Sequence, residues 1–402
     1  MRIVLVHNKY RQPGGEDVVF EQEKRMLEDA GHNVATYCRS NDELNGFSSW
    51  ERAILPIRIV WATNSKLEFE QLLAREKPDL VHIHNTFMMV SPSIYSSCRE
   101  RVIPVVQTLH NYRLLCPEAN FFRDGGVCEE CVDHGLLRSV RHGCYHGSRT
   151  ATAAVALMIA THRKLGTWET MVSRYIALSE FSRKKFVSGG IPAEKITVKP
   201  NFVDPDPGTR QNIGNFAVFM GRVSREKGAL TLLDAWEQIG SRCALQIIGE
   251  GSSKDLVQNA AKERNLPITM CGHLSRDEAI AAVKTARFLV LPSLCYENFP
   301  MSIVEAFACG TPVLCSRLGG MKELVEDQRT GLHFTPGDAM DLAEKVQWAL
   351  DHPLELAAMG GEARREFETQ YTAKSNYSRL MDIYEQAIAA NAASSTCASA
   401  GR

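Results

Sequence analysis

The sequence predicts an α/β protein built as two doubly wound domains facing a cleft. Three observations carry this. Short β-branched apolar runs alternate with longer amphipathic ones through most of the chain. The apolar runs are nearly continuous, the mark of parallel strands covered on both faces. A Pro/Gly-rich stretch without apolar period, Pro200 to Asn215, divides the series in two. The 402 residues correspond to roughly two or three domains. Lys+Arg total 46 and Asp+Glu 47, a net charge of −1 that speaks against nucleic-acid binding as the main activity. Hydrophobic residues at 44% and charged residues at 23% describe an ordinary globular chain.

In the first half the expected strands are Ile3–Val6, Asn33–Tyr37, Leu80–His84, Val105–Leu109, Tyr175–Leu178 and Ile196–Val198. The expected helices are Glu16–Ala30, Lys66–Arg75, Ala151–Met171 and Ser182–Val187. In the second half the strands are Ala217–Met220, Ala244–Ile248, Ile268–Cys271, Phe288–Leu291, Val313–Cys315 and Gly331–Phe334. Helical patterns lie at Leu230–Gln238, Ser252–Asn265, Arg276–Lys284, Met301–Cys309 and Ala339–Leu350. The domains are therefore set at 1–200 and 212–370. A Cys-rich insertion occupies 110–150, a terminal helix 371–390 packs back on the first domain, and 391–402 form a disordered tail. No basic-then-apolar leader is visible, and the longest apolar stretch, Ala151–Ala160, falls short of the about 20 residues a bilayer span needs. A cytosolic protein is the expectation that follows.

The sharpest chemical signal follows the strand Phe288–Leu291. In Glu297-Asn298-Phe299-Pro300-Met301-Ser302-Ile303-Val304-Glu305, Pro300 suits a first helical turn and Gly310 with Pro312 ends the helix. Glu297 then sits on the loop at a strand's carboxyl end and Glu305 just over one turn inside the helix. Free amides between them fit an anion or sugar hydroxyls. The plain alternative makes both acids solvated. A second loop, Gly221 to Gly228, offers Arg222 and Lys227 to a diphosphate, or else is a solvated turn. Gly249 permits a tight strand-to-helix turn, and Gly272-His273-Leu274 fits the wall of a base pocket or a simple turn.

In the first half, Gly14 and Gly15 let a phosphate or sugar approach the backbone, although Asp17 in the same turn opposes a pyrophosphate. His110, at the end of Val105–Leu109, is read as a partner for a sugar hydroxyl or a departing phosphate. His82 and His84 flank Ile83; strand alternation is read as separating them, with His82 in the core and His84 left unassigned. Cys116, Cys128, Cys131 and Cys144 have the types and spacing of a closed tetrahedral thiolate set, which implies a structural zinc ion; ordinary buried thiols or a redox pair are the alternative. Basic residues outnumber acids between Leu136 and Phe186. With the apolar stretch Ala151–Leu165 they suit either an anionic membrane surface or a core helix with a charged end.

With these residues in place, the chain resembles the retaining glycosyltransferases of family 4, also called glycosyl transferase group 1. The resemblance runs from Ile3 to about Ile388. It rests on Gly14-Gly15, the Arg222 and Lys227 pair, and Glu297 with Glu305. It implies two Rossmann-like domains in the GT-B arrangement. A nucleotide-diphosphate sugar, UDP- or GDP-linked, would lie on the C-terminal domain, and a glycan or lipid-linked acceptor mostly on the N-terminal one. By that resemblance Arg222 and Lys227 bind the diphosphate, Glu305 the ribose, Glu297 with the amides of Asn298 to Met301 the donor sugar, Gly15 the phosphate or sugar, and His110 the sugar. Front-face transfer with retained configuration follows, needing no catalytic metal and no redox cofactor. A peripheral place on the inner membrane fits such an acceptor. Two departures stand out: Phe202 in Pro200-Asn201-Phe202-Val203-Asp204, and Asn298, where the family often has glycine. Asp204-Pro205-Asp206 is not expected to hold a metal. The competing readings are a nucleotide-sugar epimerase on the same scaffold and a zinc-organised binding protein without catalysis.

Overall fold

The computed structural model describes residues 1–11 and 14–400, with side chains through Ala393. The chain divides into two compact units: Met1–Phe121 with Cys128–Pro200 and the segment from Asn376 onward, and Asn201–Ser375 with Phe122–Val127.

The strands are β1 (Arg2–Lys9), β2 (Asn33–Ser40), β3 (Leu80–Ile83), β4 (Val105–Thr108), a small antiparallel hairpin of β5 (Phe122–Arg123) and β6 (Gly126–Val127), then β7 (Arg174–Ala177) and β8 (Ile196–Val198). In the second half come β9 (Phe216–Met220), β10 (Ala244–Ile248), β11 (Ile268–Gly272), β12 (Leu289–Leu291), β13 (Val313–Ser316) and β14 (Gly331–Phe334). The first sheet has the order β2-β1-β3-β4-β7-β8 and the second β11-β10-β9-β12-β13-β14. All pairings within the two sheets are parallel. Both are doubly wound, as the alternation of apolar runs and amphipathic segments anticipates. Ile3, Val4, Leu5 and Val6 show why: all four are essentially inaccessible, so helices cover both faces of β1.

Strand order fixes where a ligand can lie. In the second sheet the chain winds from β9 outward through β10 and β11, then returns to β12 on the other side of β9. The crevice beyond the carboxyl ends of β9 and β12 is thus a topological switch point. The first sheet has its own between β1 and β3. The core beneath the second crevice packs Leu232, Trp236, Phe288, Val290, Leu314 and Val346, with the Trp236 indole N–H bonded to the Cys243 carbonyl at 2.9 Å.

Several elements differ from expectation. The helix expected over Ala151–Met171 stops at Lys164 and a short one resumes at Thr167, because Gly166 takes a left-handed φ of 65°. A helix at Ser49–Val60 is additional; Pro56 lies inside it and disguises the pattern, while Ser48 caps its start by accepting the Glu51 N–H. A further helix covers Pro353–Gln370. The terminal helix runs from Ala373 to Ala400, so residues 391–400 continue it where a disordered tail is expected. Alanine has the highest helix propensity, and neither Gly nor Pro interrupts the run before Gly401. Residues 401–402 lie outside the described residues. Within the first unit this helix is anchored by Tyr384 to His82 at 2.8 Å, Tyr377 to His32 at 2.9 Å and Asn376 to Lys199 at 3.0 Å. Among the described residues no helix is long and apolar enough to cross a membrane.

Candidate functional site

The switch point of the second sheet gathers most of the residues singled out in the sequence. The loop after β9 ends at Gly228, whose φ of 75° is left-handed and whose missing Cβ would fall 2.0 Å from the Pro292 carbonyl oxygen. Only glycine lets the two loops lie backbone against backbone. The Leu294 N–H then donates to the Glu226 carbonyl at 2.8 Å and zips them together. This seam sets Lys227 against Glu297, with Nζ 2.5 Å from Oε1, and Ser293 donates its hydroxyl to the same oxygen at 2.6 Å. Burial opposes both charges, but the pairing wins: Lys227 is held above the usual lysine range and Glu297 below the usual carboxylate range. Arg222 is exposed on the same loop, and its charge reaches both members of the pair.

The helix Met301–Cys309 begins directly after this loop. Pro300 stands at its cap rather than in the first turn, and Gly310 (φ 71°) closes it. Asn298, Phe299, Pro300 and Met301 are buried, and Gly320 pins the loop by donating its N–H to the Glu297 carbonyl at 3.2 Å. Glu305 lies one turn in. Burial pushes its carboxyl above the usual range, against the pull of Arg276, whose Nε is 4.0 Å from Oε1. Arg276 and Ser293 are site residues that sequence reasoning missed. Arg276 lies between elements far apart in sequence, and a serine four residues before an acid carries no motif.

Gly249 proves to be a point of close approach. A Cβ there would lie 2.0 Å from the Gly221 carbonyl oxygen, at a φ of +137°. Its N–H donates to the Gly272 carbonyl at 2.7 Å, which joins the ends of β10 and β11. Gly249→Ala should displace the Gly221–Gly228 loop and cost about 1–3 kcal/mol of overpacking. A lowered melting temperature is expected; an unchanged one would show that the loop relaxes around the added methyl without strain. His273 is exposed and Leu274 half-buried, both beyond edge strand β11 at the same end of the sheet. Phe202 is fully buried and is absent from the left-handed positions, so the hinge turn does not require glycine there. Asp206 is bound by Arg364 at 2.6 and 2.7 Å, and the Asp204 carbonyl accepts from Arg276 at 2.9 Å.

In the first unit, Gly14 caps the helix Gly15–Asp29. Its N–H donates to Asp17 Oδ2 at 2.7 Å, so this amide already has an anion within the chain. The other Asp17 oxygen meets His7 Nε2 at 2.9 Å. Gly15 is exposed at the helix start, and Glu16 beside it receives Asn85 at 2.9 Å and Asn111 at 3.2 Å. Burial, with Asp17 adding to it, pushes the Glu16 carboxyl up to about 8. His110 is half-buried, two residues beyond the end of β4, and bonds His84 through Nε2···Nδ1 at 3.0 Å. His82 and His84 do not diverge: residues two apart in a strand share a face, and their ring centroids lie 4.4 Å apart. His82 is a core residue satisfied by Tyr384 and Thr108, both at 2.8 Å.

Burial above all holds His7, His82 and His110 below the ordinary 6.5. The unfolded chain therefore binds protons as pH falls through 6.5, while these folded imidazoles do not. That lowers stability in acid. The melting temperature should fall between about pH 7 and 5; a flat profile over that range would contradict the buried neutral assignment.

In the Cys-rich segment, Cys116 and Cys131 are buried and hydrogen-bonded to each other. This contact, with the amides of Phe121, Glu118 and Ala119, pulls the Cys116 thiol below the usual range despite burial. Cys128 and Cys144 are half-buried, and Cys144 acts on Cys131 electrostatically. The expected tetrahedral set is not closed: among the described residues the one group of three metal-capable side chains with donor atoms within 4.8 Å of one another is Glu23, His82 and His84.

Comparison with known proteins bears on both halves of the chain. The family model for glycosyl transferases group 1 matches residues 205–367, and that for glycosyltransferase family 4 matches 13–207. An uncharacterized glycosyltransferase of Methanocaldococcus jannaschii, MJ1178, is 32% identical over 43% of this chain and 48% of its own length. A glycogen synthase of Mycobacterium tuberculosis is 35% identical over 38% of each chain. The match thus spans half or less of these relatives. Among solved structures, Anabaena HepE in complex with UDP has a TM-score of 0.65 at 18% identity, covering 95% of this chain and 99% of that one. That likeness shows the fold: two Rossmann-like domains of the GT-B type.

Proposed function

The chain belongs to the group 1, family 4 glycosyltransferases, and from that premise we propose that it moves a sugar from a UDP- or GDP-sugar to a glycan or lipid-linked acceptor, with retention of anomeric configuration. One observation carries the reading: the Lys227–Glu297 pair at the switch point of the second sheet, with Arg222 on the same loop. Breaking the bond between sugar and diphosphate leaves negative charge on the departing phosphate. Preorganised positive groups stabilise that charge as it develops. Lys227 has three donors and gives one to Glu297, which leaves two for phosphate oxygens. Arg222 and the start of the helix Met301–Cys309 add to the positive field. Glu305 takes the ribose hydroxyls, and Glu297 with the segment Asn298–Met301 takes the donor sugar. Gly249, His273 and Leu274 border the base. Within the N-terminal unit, His110 offers a half-buried imidazole to a sugar hydroxyl. No catalytic metal is required by this scheme, because the side chains supply the neutralising charge.

The product class is cell-surface polysaccharide or glycolipid, made in the cytoplasm or at the cytoplasmic face of the inner membrane. A panel of UDP- and GDP-sugars incubated with the purified full chain tests the reading. Slow hydrolysis of one donor without acceptor, releasing nucleoside diphosphate and a sugar of retained configuration, is the expected result. Interconversion of free sugar nucleotides, or no recognition of any of them, would overturn it.

A further inference from the structure

The first unit holds a row of polar groups that leads from its core to His110. Lys199 is fully buried and bonds Glu23 Oε1 at 2.6 Å. Glu23, 1% exposed, turns Oε2 toward His84 Nε2 at 3.2 Å. Neither of those two atoms has an aligned hydrogen-bond partner. Glu23 Oε2 also lies 3.7 Å from His82 Nδ1, but that nitrogen is taken by Tyr384 at 2.8 Å. His84 Nδ1 in turn meets His110 Nε2 at 3.0 Å. The two rings are 19° from coplanar with centroids 5.1 Å apart, which is an edge-to-edge arrangement along that bond rather than a face-to-face stack. Only His110 is partly open to solvent.

Proton positions follow from this order. A lone pair at His84 Nε2 would face a carboxylate oxygen at 3.2 Å, so that nitrogen carries the proton. Lys199 already balances the Glu23 charge at 2.6 Å, and a second cation on the fully buried His84 ring would stand without a counter-charge; with its one proton at Nε2, the ring accepts at Nδ1. His110 must then donate its Nε2–H, which leaves His110 Nδ1 as a bare lone pair. Lys199 keeps Glu23 ionised against the cost of its burial, and His110 is held neutral above all by burial. The other groups facing His84 do not disturb the assignment: Phe20 is apolar, His7 is spoken for by Asp17, and His82 by Tyr384 and Thr108.

We propose that Glu23 and His84 are positioning residues that fix His110 as its Nε2–H tautomer, so that Nδ1 accepts a hydroxyl of the sugar substrate and cannot donate to a phosphate. The tautomer assignment stands on the contacts and charge balance of this row; its use on a sugar rests on the transferase reading.

The test is a two-bond 1H–15N correlation spectrum of the full chain labelled with 15N-histidine, with His110→Gln identifying the resonances. Wild type should show a pyrrole-type Nε2 and a pyridine-type Nδ1 at His110. His84→Leu should give a tautomer mixture at His110 and lower kcat/KM by about tenfold, the loss of one orienting hydrogen bond. The double variant Glu23→Gln/Lys199→Met removes the carboxylate without stranding the ammonium. It should shift the His110 tautomer in the same direction while the melting temperature holds. A protonated Nδ1 in wild type overturns the proposal, as does a His110 tautomer unmoved in both variants. Should the tautomer behave as stated while wild type turns over no nucleotide sugar, the transferase reading fails and the assignment of the two positioning residues survives.

Discussion

Lys227→Met is expected to lower turnover of the nucleotide-sugar donor by about 10²–10³-fold, the cost of removing one preorganised donor from a developing oxyanion. The loss has two parts. The ammonium that neutralises the leaving diphosphate disappears, and Glu297 loses the partner that keeps it ionised at 10% side-chain exposure. The second part is separable. Lys227→Met combined with Glu297→Gln removes the stranded carboxylate and should recover structural stability without recovering turnover. Lys227→Arg keeps the charge but replaces a point donor with a planar fork, so an intermediate rate is expected. Steady-state kinetics with the best donor from the panel read all three. If Lys227→Met stays within about threefold of wild type, phosphate stabilisation does not run through this residue.

Glu23→Ala should destabilise the first unit by about 3–5 kcal/mol, the penalty for leaving a buried charge uncompensated. Lys199 is inaccessible to water and has two side-chain partners, Glu23 at 2.6 Å and Asn376 at 3.0 Å. Asn376 in turn donates to the Pro200 carbonyl at 2.7 Å and so ties the terminal helix to the end of β8. Removing Glu23 therefore loosens the docking of that helix as well. Adding Lys199→Met should restore most of the loss, because a buried pair replaced together is often neutral. Denaturant unfolding of the single and double variants decides the matter. A single variant within about 1 kcal/mol of wild type would mean that Lys199 finds another anion or reaches water.

The parts of this molecule legible in its sequence are those that repeat or are local. Parallel strands buried on both faces leave runs such as Ile3–Val6, Ala244–Ile248 and Leu289–Leu291, and their order along the chain gives the fold class. Loops at strand ends announce themselves by glycine and charge, which makes Arg222, Lys227 and Glu297 legible. What stayed hidden is long-range or irregular. Tyr384 satisfies a histidine 302 positions away, and Lys199 meets a glutamate 176 away. No single-chain pattern links such residues. Pro56 breaks the appearance of a helix that its neighbours nevertheless form. The divergence expected of His82 and His84 failed on the period of the strand itself, since positions two apart point the same way. Gly249 reads in the sequence as a turn residue, and its closeness to the Gly221 carbonyl emerges only when β9 and β10 are side by side.

The most direct measurement is a crystal structure of the full chain with UDP or GDP, collected alongside binding titrations of the same nucleotide to wild type and Lys227→Met. The diphosphate should lie beyond the ends of β9 and β12, within hydrogen-bond reach of Lys227 and Arg222, with Glu305 on the ribose and affinity lost in the variant. A nucleotide seated away from those side chains, or bound equally well without Lys227, would contradict the account.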